Sequence, residues 1–188
     1  MNITSNLKSL WRRTLIDTYM QRGTTCAHRG DMPGLIRNFD RAIALDPHNP
    51  QHYLNRGWGR HRLGDVEGAL ADYTHALELD PRCANAYVNR GLLYAEQGDL
   101  NEALTNYNRA IYYNPHSAAA YNNRGLASKA LGNLNAAISD YNHALRLDPE
   151  NATAYNNRGN AYADAGHPER AEADYNTALR LNTEYASA

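Results

Sequence analysis

The chain has 188 residues, 43% of them hydrophobic, a formal net charge of −1 and a mean hydropathy of −0.72. That length suits about one domain with a core of its own. The absence of a long apolar run excludes a membrane-spanning helix, and no secretory leader is expected, because Lys8, Arg12 and Arg13 are scattered among the first apolar residues.

In chain order, the first element predicted is a helix over residues 5–29. It starts behind a Ser5-Asn6 cap signal and carries Leu7, Leu10, Trp11 and Leu15 at helical spacing. Its first part, residues 1–15, is read as an extension that continues into a repeated region over 16–188. Self-similarity with a step of 34 residues then takes over. The step carries Arg-Gly at 22–23, 56–57, 90–91, 124–125 and 158–159. It also carries Tyr19, Tyr53, Tyr87, Tyr121 and Tyr155, and Gly30, Gly64, Gly98, Gly132 and Gly166. The next columns are Phe39, Tyr73, Tyr107, Tyr141 and Tyr175, then Ala42, Ala76, Ala110, Ala144 and Ala178, and finally Pro47, Pro81, Pro115 and Pro149. With the first of these glycines set as position 8, five repeats start at Ile16, Pro50, Ala84, Ala118 and Ala152.

Each repeat reads as two helices. In the third, Tyr87, Gly91 and Tyr94 mark one stripe, Gly98-Asp99 stops one helix and starts another, and Leu100, Ala103, Leu104, Tyr107, Ala110 and Ile111 mark the second stripe. Asn114-Pro115 ends it. Small residues at positions 8, 20 and 27 let the helices approach, and large aromatics fill the space between them. The first repeat departs from the pattern at Cys26 and at Met32-Pro33-Gly34. The fifth has Thr183 in place of the proline, with only Ala186, Ser187 and Ala188 after its last helix, so no polar capping helix is expected there.

The period and the order of these columns resemble the tetratricopeptide repeat (TPR) family across nearly the whole chain. The resemblance implies an all-α fold, a right-handed α-solenoid of antiparallel helix pairs with a concave groove, and a protein-interaction role. Helical arithmetic puts positions 2, 5, 6, 9, 12 and 13 of the first helix of each pair within an arc of roughly 120°, away from the second helix. Position 6 reads Gln21, Asn55, Asn89, Asn123 and Asn157, a ladder of amides that each offer an acceptor and two donors, matching a peptide backbone. The column resembles asparagine ladders of TPR domains that hold extended polypeptides. The alternative to this ligand role is a helix-face consensus of the repeat style. Asn122 and Asn156 at position 5, with Asn160 at position 9, make the last two repeats amide-rich. Trp58, Leu92 and Leu126 at position 9 suit an apolar anchor pocket, with packing across the seam between repeats as the other reading of Trp58. Lys129 adds local positive charge, as do His61 and Arg62, while Glu96 and Asp164 add negative.

The two-carboxylate clamp used by TPR co-chaperones on Hsp70 and Hsp90 tails needs lysines at positions 2 and 5, and this chain has none there. The arginines at position 7 point towards the helix pair and are expected to bond neighbouring carbonyls or carboxylates, a phosphate ladder being the alternative. Asp72 with His75, and Asp140 with His143, have the spacing of paired metal ligands on a helix, but nothing completes a site. His48 and His52 straddle Asn49-Pro50 and read as turn residues. No nucleophile elbow or phosphate loop occurs, and no catalytic residue, cofactor or metal is expected. Nucleic-acid and membrane partners are not expected either.

Two cysteines, Cys26 and Cys83, are too few for a disulfide framework, and a reducing, cytoplasmic setting is expected. The glycosylation-like triplets at Asn2 and Asn151 are read as chance. The leading function is therefore a non-catalytic scaffold that binds an extended segment of a partner. The competing one is self-assembly through the ends, expected because the last apolar helix has no polar cap and because residues 1–64 carry a net +6 and residues 65–188 a net −7, which favours head-to-tail contacts between copies.

Overall fold

A computed structural model of the chain describes residues 3–186, with side chains from 9 to 182. The triplet at Asn2, the side chains of Leu7 and Lys8, and the terminal Ser187 and Ala188 lie outside the described residues, as does the side chain of Thr183. Ten helices and no strand occur among the described residues. They are α1 (Ile3–His28), α2 (Met32–Leu45), α3 (Pro50–Arg62), α4 (Val66–Leu79), α5 (Ala84–Glu96), α6 (Leu100–Tyr113), α7 (Ala118–Ala130), α8 (Leu134–Leu147), α9 (Ala152–Asp164) and α10 (Pro168–Ala186). The 26-residue α1 carries the N-terminal segment and the start of the repeats as one continuous helix. The last helix, α10, runs for 19 residues against 14 for α8.

The helix boundaries follow from local chemistry. Asp31 and Asp65 cap α2 and α4 by accepting from the backbone N–H of Gly34 and Gly68, at 2.8 and 3.0 Å. A side chain at Gly34 or Gly68 would collide with the capping carboxylate, so the glycine three residues on is part of the cap. Asn49, Ser117 and Asn151 cap α3, α7 and α9. Between the two helices of each pair, Gly30, Gly64, Gly98, Gly132 and Gly166 all adopt φ between 72° and 85°, the left-handed region where a side chain is strained.

The chain divides into two compact units, residues 1–90 and 91–188. In the first, α1 packs on α2, α2 on α3 and α3 on α4. Met32, Leu35, Phe39 and Ala42 of α2 form a core cluster with Tyr19, Met20 and Cys26 of α1 against it. In the second, α6 packs on α7, α7 on α8, α8 on α9 and α9 on α10. Tyr107 and Tyr141 are fully buried there among alanines, and Tyr94 and Ala95 from the end of α5 pack on the Tyr107 cluster.

The Arg-Gly pairs explain how closely the helices approach. A Cβ on Gly57, Gly125 or Gly159 would lie 2.7–2.8 Å from the ring of Tyr73, Tyr141 or Tyr175, so the ring occupies the space a side chain would take. The neighbouring arginines cross to the second helix and to the preceding one. Arg124 donates to both carboxylate oxygens of Asp140, Nε to Oδ2 at 2.8 Å and Nη2 to Oδ1 at 2.6 Å, and Nη1 donates to Asn108 at 2.8 Å. Arg158 repeats the set with Asp174 and Asn142. Arg56 does the same with Asp72 and Asp40, and Asp72 also receives Arg60. Each of these guanidinium groups also lies over a position-4 tyrosine, at 5.4–5.6 Å from the ring centre of Tyr53, Tyr121 or Tyr155. Bonds from Asp140 and Asp174 outweigh burial and raise the pKa values of Arg124 and Arg158 above the ordinary arginine range. Arg56, Arg124 and Arg158 are thus structural ties between helices.

Candidate interaction face

Position 6 places Asn55, Asn89, Asn123 and Asn157 half-buried on the first helices of their pairs, whereas Gln21 is exposed on α1. In the first unit Gln51 Nε2 donates to Asn55 Oδ1 at 2.9 Å, one turn along α3. This engages the Asn55 oxygen within its own helix. Asn89 is half-buried on α5. In the second unit Asn157 Nδ2 donates to Asn122 Oδ1 at 3.0 Å, linking α9 to α7, and Asn122 Nδ2 lies 3.5 Å from Asn123 Oδ1. Asn122, Asn123 and Asn157, three of the predicted amides, are therefore linked by side-chain contacts. Asn123 offers N–H donors, and Asn157 keeps its oxygen as an acceptor.

Position 5 behaves differently from the helical-wheel expectation. Leu54 is buried and Asn122 bonds across the seam to the next pair, so this column belongs to the contact between repeats as much as to the open face. Asn156 is exposed and lines a cleft of about 400 Å³ with Thr153, Tyr175, Leu179 and Asn182, on the α10 side of α9. Asn160 is drawn inward, accepting from the Tyr175 hydroxyl at 2.8 Å.

The apolar candidates divide in the same way. Trp58 and Leu126 are 37% and 41% exposed, available to a partner, whereas Leu92 is half-buried. Close packing behind Trp58 is secured by Gly59, where a side chain would strike Leu35 of α2. Lys129 is not a free cation: its Nζ lies 2.8 Å from Asp164 Oδ2, bridging α7 and α9.

Other sequence expectations change on contact with the fold. Asp72 and Asp140 are taken by arginines, while His75 and His143 pack on Tyr53 and Tyr121 with ring centres 4.3 and 5.0 Å apart. The spacing that suggested metal ligands is thus used for ion pairs and ring packing, and no group of three His, Cys, Asp or Glu side chains suited to a metal occurs among the described residues. His52 is not a turn residue. It lies in the first turn of α3 and is completely buried. Sequence reasoning missed the aspartates as arginine partners, although their constant offset of sixteen residues from the arginine was the available signal. No described helix is long and apolar enough to cross a membrane.

Paired helices repeated in register, tied by arginine and opened by glycine, define a helical-repeat scaffold of the kind that mediates protein interactions. The chain belongs to the tetratricopeptide repeat family: TPR repeat models match residues 60–98, 91–132 and 129–166, and a tetratricopeptide repeat model matches 152–185. No curated protein matches it by sequence. Among solved structures it is similar to MamA, at 26% identity over 92% of this chain and 94% of that one, with a TM-score of 0.73. PilF of Pseudomonas aeruginosa shares the fold at 20% identity, over 90% of this chain and 78% of that one, with a TM-score of 0.84. YrrB, described as a TPR protein with an unusual peptide-binding site, shares it at 20% identity over 89% and 87%, with a TM-score of 0.68.

Proposed function

We propose that the chain is a non-catalytic scaffold that holds an extended segment of a partner protein by its backbone along the open faces of its first helices. The observation that carries this reading is the oriented amide network. Asn55 and Asn123 have their oxygens occupied and present N–H donors, while Asn157 has an N–H occupied and presents its oxygen. Within the second unit, donors from Asn123 and an acceptor from Asn157 suit the C=O and N–H groups of an extended chain, with Leu126 offering apolar contact to its side chains. The first unit carries the same kinds of group in Asn55 and Trp58. Such capture gives affinity with modest sequence specificity. The description of YrrB as peptide-binding is consistent with a TPR face used for this purpose.

The test is selection of peptides from a random display library on the full chain, followed by titration against the Asn123→Ala/Asn157→Ala variant with its fold checked by circular dichroism. Each amide contact is worth about 0.5–1.5 kcal/mol, so the double variant should weaken binding about fivefold or more. Replacing single peptide bonds of the selected ligand by esters should weaken it as well. Equal affinity for both proteins overturns the reading.

A second reading, self-association, rests on Leu10 and Trp11, which are 61% and 68% exposed on α1 beside Arg12 and Arg13. An apolar, basic stripe of this kind suits the more acidic remainder of a second copy. Mass by light scattering that rises with concentration and falls with salt would favour it.

A further inference from the structure

His52 occupies position 3 of its repeat, where the later repeats have Ala86, Ala120 and Ala154, each with no exposed surface. Ala154 packs on Ala144 and Leu145 of the preceding helix, and the same register sets His52 into the seam between α2 and α3. The imidazole is also fully buried, and neither Nδ1 nor Nε2 has a hydrogen-bond partner. A neutral imidazole strands one donor and one acceptor here, whereas the cation strands two donors and a charge. The protonated ring can be hydrated only if the seam opens.

The charges around α3 do not remove this penalty. Asp46, just after α2, is the acidic group that acts on the ring and favours the cation, but burial outweighs it and lowers the His52 pKa below 6.5. Asp72, on the α4 side, is already engaged by Arg56 and Arg60. From α1, Arg12 donates to the Leu45 carbonyl next to Asp46, placing positive charge on the same side.

We propose that His52 makes the α2–α3 seam a proton-sensitive joint, closed at neutral pH and loosened in mild acid. The opened or unfolded seam binds the proton more tightly than the closed one. The stability of the closed form is therefore full above pH 6.5 and is lost as pH falls from 6.5 towards the depressed value. An alanine in the same seat, as in the later repeats, has no such response.

Hydrogen exchange of the full chain tests this, following α2 and α3 amides at pH 7.5 and 5.5 with intrinsic rates corrected. The wild-type opening constant should rise, by at most about tenfold, the limit set by one proton taken up one pH unit below 6.5. His52→Ala should abolish that rise, and amides of α8 and α9 should not show it in either protein. As a second measurement on the wild type alone, imidazole nitrogen shifts should show His52 titrating below 6.5. A His52 titration at or above 6.5, no rise in the wild type, or a rise that survives undiminished in His52→Ala overturns the proposal.

Discussion

The helix pairs α1–α2 and α7–α8 are built on the same columns and held together differently. In α7–α8, Arg124 grips Asp140 with two bonds while Asn108 takes a third, and the tyrosine of position 4 lies beneath the guanidinium. In α1–α2 the residue sixteen positions after Arg22 is Asn38. Its amide donates instead to the Gly34 carbonyl at 2.8 Å, and Arg22 is exposed. Tyr19 is met by Arg41 from the second helix, 5.5 Å from its ring centre. The arginine column alone does not make the tie. It needs the carboxylate, and where an amide replaces that carboxylate, apolar contact around Phe39 holds the pair.

Removing the carboxylate is the sharpest way to break this comparison. Asp140 is 8% exposed and Arg124 26%, so Asp140→Ala strands a charge that water reaches only in part. A loss of about 3 kcal/mol is expected, read from urea unfolding. Arg22→Ala should change stability by less than about 0.5 kcal/mol. Equal effects at the two sites would remove the distinction drawn between the pairs.

The two glycine columns sharpen it further, because they are fixed by different physics. Gly125→Ala drives a Cβ to 2.7 Å from the Tyr141 ring, which is itself fully buried and has no room to retreat. Overpacking of that kind costs about 1–3 kcal/mol, offset in part by about 1 kcal/mol of helix propensity. Gly132→Ala meets no atom within 4 Å, yet sits at φ +79°. Its cost of about 1–2 kcal/mol is backbone strain. A second change distinguishes the two causes. Shrinking the ring with Tyr141→Leu should relieve Gly125→Ala and leave the cost of Gly132→Ala unchanged, as a double-mutant cycle would read.

Much of this was legible in the chain. A step of 34 residues fixes helix starts to the residue, since α3, α5, α7 and α9 begin at Pro50, Ala84, Ala118 and Ala152. What periodicity conveys less well is where a side chain ends. Asn122 shares a helix face with Asn123, but its oxygen reaches Asn157 on the next pair, because position 5 borders the seam. His52 was hidden by its neighbours: Asn49-Pro50 is a turn signal, and proline at the first helical position starts a helix as readily as it ends one. The aspartate partners were legible as a column, but a reading one helix at a time pairs Asp72 with His75 rather than with Arg56 on the helix before.

The smallest expected effect concerns the charge on the open face. Lys129 and Asp164 are 29% and 53% exposed, so their contact at 2.8 Å is made largely in water. An exposed pair of this kind contributes at most about 1 kcal/mol and is screened by salt. Lys129→Ala should therefore lower stability by well under 1 kcal/mol at low salt, and the difference should vanish near 1 M NaCl. The same substitution frees Asp164 to repel acidic segments. If Lys129 instead reaches a partner, Lys129→Ala and Asp164→Ala should shift peptide affinity in opposite directions. If the pair serves only to link α7 to α9, both substitutions should leave that affinity unchanged. The salt series on stability and the pair of affinity measurements together decide whether this residue belongs to the binding face or to the seam.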